Sequence, residues 1–471
     1  MATTPASERA LAARVVLAVL QEQKTTDQLL HGAAVSPLCQ EFIFGTLRHY
    51  FSLDAAVKRH LADAPRTKDH DIHCLLLVGA YQLRHMRIPS HAAIHETVSA
   101  CRHLRKPWAK GVLNAVLRQI DAQRHKPVSA ADEVERDERT FELPAWMMTR
   151  IRTDYPQNAT SIMTGCLRRA PMSLRVNLAR TPVDAYRDTL SSAGLDHSTG
   201  WLEENIVLAR PLPMARLPGF ASGLVAIQDP GALFAAQLLD TSLPVPGSHP
   251  LPAPGNRTAP RLLDACAAPG GKLFHFHERR PDVQLLALEL DARRCEHLRA
   301  EATRLQHESL QIVQGDAAGL NWWSGEPFDA ILLDAPCSGS GTLRRHPDIK
   351  LLRQEADLRD YASGQRTLLA NLWRCLRPGG TLLYCTCSLF AEENDAVVGG
   401  FVDKQKDALI QTIKLPIGQA TTYGWQLLPL PAPVASQHST SADRKPNTTR
   451  ELPPDRTVDG FFFALLEKRR T

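Results

Sequence analysis

Two short segments carry thiols in settings where covalent chemistry is plausible on composition alone: Asp334-Ala-Pro-Cys337 and Thr386-Cys387-Ser388. Each follows an apolar run, 330–334 and 381–384, of the length and content of a buried strand. Ligands and chemistry gather where the strands of an open α/β sheet end. Two thiols brought to one sheet edge point to a nucleophilic, covalent mechanism. The alternative is that both are buried as small apolar residues, the usual fate of cysteine.

A third stretch, Asp264-Ala-Cys-Ala-Ala-Pro-Gly-Gly-Lys272, runs from a predicted strand into a predicted helix. Its small residues, Cys266, Ala267, Ala268, Gly270 and Gly271, let backbone approach a ligand closely at that turn. Glu289 ends the next strand, at the distance from a glycine turn where an acid binds ribose hydroxyls. Asp316 closes the strand after it and offers a carboxylate to an adenine amino group. There is no Gly-x-Gly-x-x-Gly and no Gly-Lys-Ser/Thr phosphate loop, so neither a dinucleotide nor a nucleoside triphosphate leads. Adenine and ribose without phosphate describe S-adenosyl-L-methionine.

The elements that must position these groups alternate regularly. Strands are predicted at 261–264, 284–289, 310–313, 328–334 and 380–386, and helices at 270–280, 291–305, 352–376 and 391–404. That order makes 261–471 a Rossmann-like α/β domain with a largely parallel sheet. The aromatic run Gly460-Phe-Phe-Phe-Ala-Leu-Leu466 is expected to pair with 425–428 at its C-terminal edge. The predicted helix near Ala391 would set its unpaired amides and dipole close to Cys387, which favours a thiolate there.

Ahead of that domain lie two others. Residues 1–126 are helical throughout, with helices at 71–86, 92–104 and 110–123 and punctuation at Pro65, Pro89 and Pro107. They hold 17 Lys/Arg against 10 Asp/Glu, a balance suited to a polyanion or to solvated basic helix faces. His91 and His95 stand one helical turn apart, but with no third ligand in view they read as structural or as facing that polyanion. Residues 127–142 are charged, apolar-poor and predicted as a linker. Residues 143–240 form a small α+β middle domain with strands at 172–178, 206–209 and 223–227. Arg168, Arg169, Arg175 and Arg180 are clustered enough to contact phosphates, or to form a solvated edge. The stretches 241–260 and 430–456 are rich in Pro, Ser and Thr and are expected to have no core of their own.

The totals exclude several classes. No run of about 18 apolar residues exists, so no membrane-spanning helix is expected. The N-terminus lacks a basic region followed by an apolar one, so it does not read as a signal peptide. Ten cysteines are thinly spread, the pattern of a cytoplasmic protein with reduced thiols. Cys337, Cys375, Cys385 and Cys387 contain no Cys-x-x-Cys pair, so no metal is expected. Cys385 alternates with Thr386 and is expected in the core.

Taken together, Asp264–Lys272, Leu-Leu-Asp-Ala-Pro-Cys-Ser (332–338), Arg345-His-Pro-Asp-Ile-Lys350, Thr-Cys-Ser (386–388) and Glu-Glu-Asn (392–394) resemble the RNA 5-methylcytosine methyltransferases. Phe42-Ile-Phe-Gly-Thr-Leu-Arg48, Pro89–Val98 and Gly111–Arg118 resemble the NusB-like helical RNA-binding fold. The resemblance implies a cytosine-5 methyltransferase acting on 16S rRNA, in a protein-poor or early assembly form, as a monomer. Carbon 5 of cytosine is a poor nucleophile, so a thiolate first adds to carbon 6 and makes carbon 5 an enamine terminus. By the family pattern Cys387 attacks, Cys337 assists elimination, and Asp334 bonds the cytosine edge beside the cofactor. Pro269 and Lys272 complete the cofactor turn. In the DNA enzymes the nucleophile belongs to the Pro-Cys segment, which would select Cys337 instead. Glu289 stands where an aspartate is commoner. Two further readings share most of these features: the same chemistry on tRNA or another RNA, and a non-catalytic NusB-like RNA-binding factor.

Overall fold

The computed structural model describes residues 4–33, 35–61, 66–124, 133–243, 259–307, 310–430 and 457–470. Pro65 and most of the two proline-rich stretches, 244–258 and 431–456, lie outside the described residues. The chain divides into two compact units, Met1–Leu167 with Leu343–Glu355, and Arg168–Thr342 with Ala356–Thr471.

The first unit is helical. Helix His70–His85 is apolar on nearly every side, from Ile72 to Leu83, and is therefore the element the others surround. Pro5–Glu22, Pro37–Arg48, Ser90–Ala100 and Lys110–Ala122 supply Val16, Phe42, Ala93 and Leu117 to the same core. A Cβ on Gly45 would overlap the Tyr81 ring, so glycine is what lets Pro37–Arg48 lie close on the central helix. His91 and His95 are both exposed.

Two expectations change here. Within the stretch expected as a linker, Glu133–Phe141 is a helix with a Glu135–Arg139 pair one turn apart. Its successor Glu142 is 2% exposed and accepts from the backbone N–H groups of Phe51 (2.8 Å) and Ser52 (3.3 Å). Those are orphan donors in the first turn of helix Tyr50–Lys58, so a charge-rich sequence is used as a cap. The Arg345–Lys350 motif belongs to this helical unit and not to the sheet edge. Asp348 accepts from the Thr26 N–H at 2.9 Å, Lys350 donates to the Arg48 carbonyl at 2.6 Å, and Leu352 joins the helical core.

The second unit begins with a four-stranded antiparallel sheet, β1 (Met172–Val176), β2 (His197–Thr199), β3 (Asn205–Leu208) and β4 (Val225–Ile227), in order β2-β3-β1-β4. Helix Val183–Ser192 covers it through Tyr186 and Leu190. Then β5 (Arg261–Asp264), β6 (Gln284–Glu289), β7 (Gln311–Gln314), β8 (Phe328–Asp334) and β9 (Leu376–Thr386) pair in parallel in the order β7-β6-β5-β8-β9. After β10 (Ala408–Gln411) and β11 (Gln419–Ala420) come β12 (Trp425–Leu427) and β13 (Phe461–Lys468), which pair antiparallel; β13 also pairs antiparallel with β9. The expected aromatic edge pairing is therefore present.

Alternation sorts the strand residues onto two faces. Leu262, Leu332 and Leu383 pack under helices Pro230–Ser242 and Gly271–Arg279, while Leu263, Leu333 and Tyr384 pack under Asp357–Cys375 and Asp395–Val402. A sheet covered on both sides explains why these strands read as unbroken apolar runs.

Candidate active site

β8 and β9 are parallel neighbours with Asp334 opposite Cys385, so both chains leave the sheet at the same edge. Two backbone bonds carry the pairing past the strand ends, Ala335 N–H to the Cys385 carbonyl and Gly341 N–H to the Cys387 carbonyl, each 2.8 Å. The Sγ atoms of Cys337 and Cys387 then stand 3.4 Å apart. The hydrogen bond to Cys387, burial and the nearby charge of Glu393 push the Cys337 thiol well above its ordinary range. Cys337 therefore ionises less readily than an ordinary thiol, and its sulfur faces that of Cys387.

Asp334 lies beside this pair. Its Oδ2 accepts from Lys272 Nζ at 2.5 Å and its Oδ1 from the Cys385 thiol at 3.5 Å. Burial alone would pull the Lys272 ammonium down, but Asp334 and the Cys385 and Cys387 sulfurs outweigh it and raise it. Lys272 is thus a fixed cation next to the two thiols. Cys385 is fully buried, as alternation implied, yet it also touches Asp334.

The turn Asp264–Lys272 is built as its composition requires. Gly270 sits at φ +99°, and a Cβ there would strike the Phe274 ring. Ala268 N–H donates to Glu289 Oε2 at 3.2 Å, and Glu289 also accepts from Asp291 N–H at 3.1 Å. Beside the turn opens a cavity of about 440 Å³, within the range of small-ligand sites. Of the expected cofactor residues, Cys266, Glu289 and Asp316 line it. Ala267, Ala268, Pro269, Gly270, Gly271, Lys272 and Asp334 are not in its wall; they form the turn and the pair next to the thiols. Pro336, adjacent to Cys337, does line it, so the cavity reaches the cysteine loop.

Sequence reading missed part of this wall. Asp360, Tyr361, Gly364 and Leu368 come from one face of helix Asp357–Cys375, whose residues carry no motif and matter only through docking. Asp264 was also passed over. It is 1% exposed, its Oδ1 has no hydrogen-bond partner, and burial with Asp334 nearby pushes it up to about 8. A ligand with a ribose, an adenine and positive charge fits a wall holding Glu289, Asp291, Asp316 and Asp360, with this unsatisfied acid behind it.

Two further expectations are revised. The helix after Cys387 begins at Asp395, not near Ala391, so its amides do not cap the Cys387 loop directly. Residues 390–394 turn instead, because Glu393 and Asn394 are buried and bond inward. Arg175 is 1% exposed and bonded to Glu278 at 2.9 and 2.7 Å, which removes it from any phosphate-binding surface. Arg168 and Arg169 remain exposed. Among the described residues no three His, Cys, Asp or Glu side chains gather as a metal ion would need, and no helix is long and apolar enough to cross a membrane.

Three family models match successive stretches of the chain. Residues 6–122 match the NusB family, 143–215 the ferredoxin-like domain of RsmF/B-like methyltransferases, and 253–467 the 16S rRNA methyltransferase RsmB/F family. The ribosomal RNA small subunit methyltransferase B of Shewanella oneidensis is 37% identical over 470 residues, covering 98% of this chain and 99% of its own. Its counterpart from Sodalis glossinidius is 39% identical, with 98% and 97% covered. The crystal structure of PH0851 shares the fold at a TM-score of 0.79 and 21% identity, covering 99% of this chain and 100% of that one. NSun6 from Pyrococcus horikoshii, solved with SFG, shares it at 0.54 and 18%, covering 69% and 98%. On the strength of full-length relatives this similar, the chain belongs to the 16S rRNA methyltransferase RsmB/F family.

Proposed function

We propose that this methyltransferase modifies carbon 5 of a cytosine in 16S rRNA through a covalent bond from Cys387, in the cytoplasm. The observation that carries the reading is the pair of sulfurs 3.4 Å apart at one sheet edge. S-adenosyl-L-methionine is the cofactor, and when bound in the cavity of Glu289 and Asp316 it supplies an electrophilic methyl group. Attack on carbon 6 of the base requires the thiolate of Cys387, whose sulfur has Cys337 at 3.4 Å and the Lys272 ammonium nearby. The carbon 6 to sulfur bond turns carbon 5 into the nucleophile that takes the methyl group. A solvent base takes the carbon 5 proton, the C5–H electron pair re-forms the 5,6 double bond, and Cys387 departs as thiolate, with Cys337 assisting that elimination. Asp334, fixed by Lys272, holds the amidine edge of the cytosine. A paired base must leave its stack to reach these thiols, so the target is a loop nucleotide or one flipped out. The basic helical domain and the middle domain hold the RNA backbone, which makes binding salt-dependent.

The test is methylation of protein-free 16S rRNA, read by bisulfite mapping. Cys387→Ala is expected to abolish methylation with cofactor affinity near normal, and Cys337→Ala to trap a covalent RNA adduct as a slow band on a denaturing gel. Full activity of Cys387→Ala would sink the nucleophile assignment. Methylation of tRNA but not rRNA would move the substrate, and cofactor binding with no transfer to any RNA would favour a non-catalytic factor.

A further inference from the structure

Between the two cysteine loops lies a buried acid that the reaction as written does not use. Glu393 is fully buried, at the turn that replaces the expected start of the following helix. Its Oε1 accepts from the Ser338 N–H at 2.7 Å and its Oε2 from the Ser338 hydroxyl at 2.6 Å. The same Oε2 accepts from the Ser388 hydroxyl at 2.5 Å, and Gln365 Nε2 reaches Oε1 at 3.4 Å. Ser338 follows Cys337 and Ser388 follows Cys387, so one carboxylate grips the residue next to each sulfur. The neighbouring Asn394 accepts from the Thr386 hydroxyl at 2.6 Å and donates to the Ser388 carbonyl at 3.0 Å, fixing the Cys387 loop on its other side. The Tyr384 hydroxyl donates to the Glu393 carbonyl at 2.6 Å and anchors the backbone that presents the acid.

Backbone bonds hold the Cys337 loop at Ala335 and Gly341, and Gln365 holds the Pro336 carbonyl at 2.9 Å. Burying a carboxylate is costly unless its lone pairs are met. Here four donors meet them, three of those from the two cysteine loops. An acid in that position has a purpose that an apolar side chain of the same volume would not serve. We propose that Glu393 is a positioning residue that sets the spacing between Cys337 and Cys387, so that elimination follows attack. The part about elimination rests on the covalent mechanism proposed above; the part about spacing does not.

The full-length protein with Glu393→Ala and Glu393→Gln tests both parts. Glutamine keeps an acceptor for the Ser338 N–H, and the serine hydroxyls can rotate to accept from its amide. Diamide removes two electrons and two protons from a pair of thiols, leaving one S–S bond and the reduced hydrazine. The rate at which a Cys337–Cys387 disulfide forms, read by peptide mapping, therefore reports the sulfur spacing without RNA. Glu393→Ala is expected to slow it about 10- to 100-fold, since displacements near 1 Å cost that much in reactions between placed groups. Glu393→Gln is expected to stay within about threefold of the parent. In single turnover with rRNA, Glu393→Ala is expected to hold a larger fraction of its bound RNA as covalent adduct, because elimination is slowed more than attack.

A merely structural role predicts otherwise: both steps would fall with the folded fraction, and the adduct fraction per folded molecule would not move. Parental diamide rate in a folded Glu393→Ala variant overturns the proposal. If that variant fails to fold, Ser388→Ala, which removes the 2.5 Å bond to Glu393 together with the hydroxyl's bond from the Phe390 N–H and its contacts with Ser338 and Ser340, must slow disulfide formation, and an unchanged rate overturns the proposal equally. Should Cys337→Ala trap no adduct while the diamide rates behave as expected, the covalent reading fails and the spacing role stands.

Discussion

Arg175 offers the sharpest separation between what the sequence permits and what the packing requires. Its guanidinium donates to Glu278 at 2.9 and 2.7 Å, to the Gly271 carbonyl at 2.7 Å and to Gln228, with both ion-pair side chains 1% exposed. Replacing Arg175 by Met keeps most of the volume and leaves the Glu278 carboxylate buried without its arginine, with His307 at 3.8 Å and His275 nearby. Breaking one side of a buried pair costs about 3–5 kcal/mol. For a unit of this size each kcal/mol lowers the midpoint by about 2–4 °C, so roughly 6–20 °C is expected in a thermal melt of the full chain. The double variant Arg175→Met, Glu278→Met removes both charges and is expected to return to within about 1–2 kcal/mol of the parent. Because Arg175 also holds the first residue of the cofactor helix through the Gly271 carbonyl, the single variant is expected to bind S-adenosyl-L-methionine more weakly. An arginine on a phosphate would behave differently. Its loss would leave the melt unchanged and reduce the slope of log affinity for RNA against log salt by about 0.9. That second pattern would refute the structural assignment.

Two other perturbations probe the cofactor turn and the acid limb of stability. Gly270→Ala forces a Cβ at φ +99° into the Phe274 ring; about 1–2 kcal/mol of backbone strain and about 1–3 kcal/mol of overpacking should weaken cofactor binding tenfold or more by calorimetry, and parental affinity would count against the turn's role. Burial alone would push Glu204 up, but the hydrogen bond from His275 at 2.7 Å and the charge of Arg279 at 2.9 Å outweigh it and bring it down to about 2. A depressed carboxyl stabilises the fold above its unfolded pKa and loses that contribution as pH falls through the folded value. Wild type is therefore expected to lose up to about 3 kcal/mol between about pH 4.5 and 2, and Glu204→Gln to show a flatter acid limb from a lower starting stability in urea titrations. Parallel acid limbs in the two proteins would contradict this.

Much of the architecture was legible because local rules and tertiary demands agreed. Strands buried on both faces leave unbroken apolar runs, such as 330–333. Punctuation by Pro89 and Pro107 marked the helices, and the glycine turn had to sit at a strand-to-helix corner because φ +99° at Gly270 tolerates little else. Pairing of the aromatic C-terminal strand with Trp425–Leu427 followed from composition and was found. The boundaries that slipped did so for stated reasons: the helix after Cys387 starts four residues late because Glu393 and Asn394 are pulled inward by hydrogen bonds.

The sequence by itself determined that two thiols, a glycine turn and two strand-end acids would meet at the edge of a parallel sheet, since strand order and alternation leave those side chains nowhere else to go. Only the tertiary structure decided which partner each would have. Charge is silent about burial, so Arg175 looked like a phosphate ligand, Glu142 like linker and Lys350 like catalytic-domain sequence until packing paired them. The same holds for Glu393, whose four donors are separated from it by 5 to 55 residues in the chain and meet it only once β8 and β9 lie side by side.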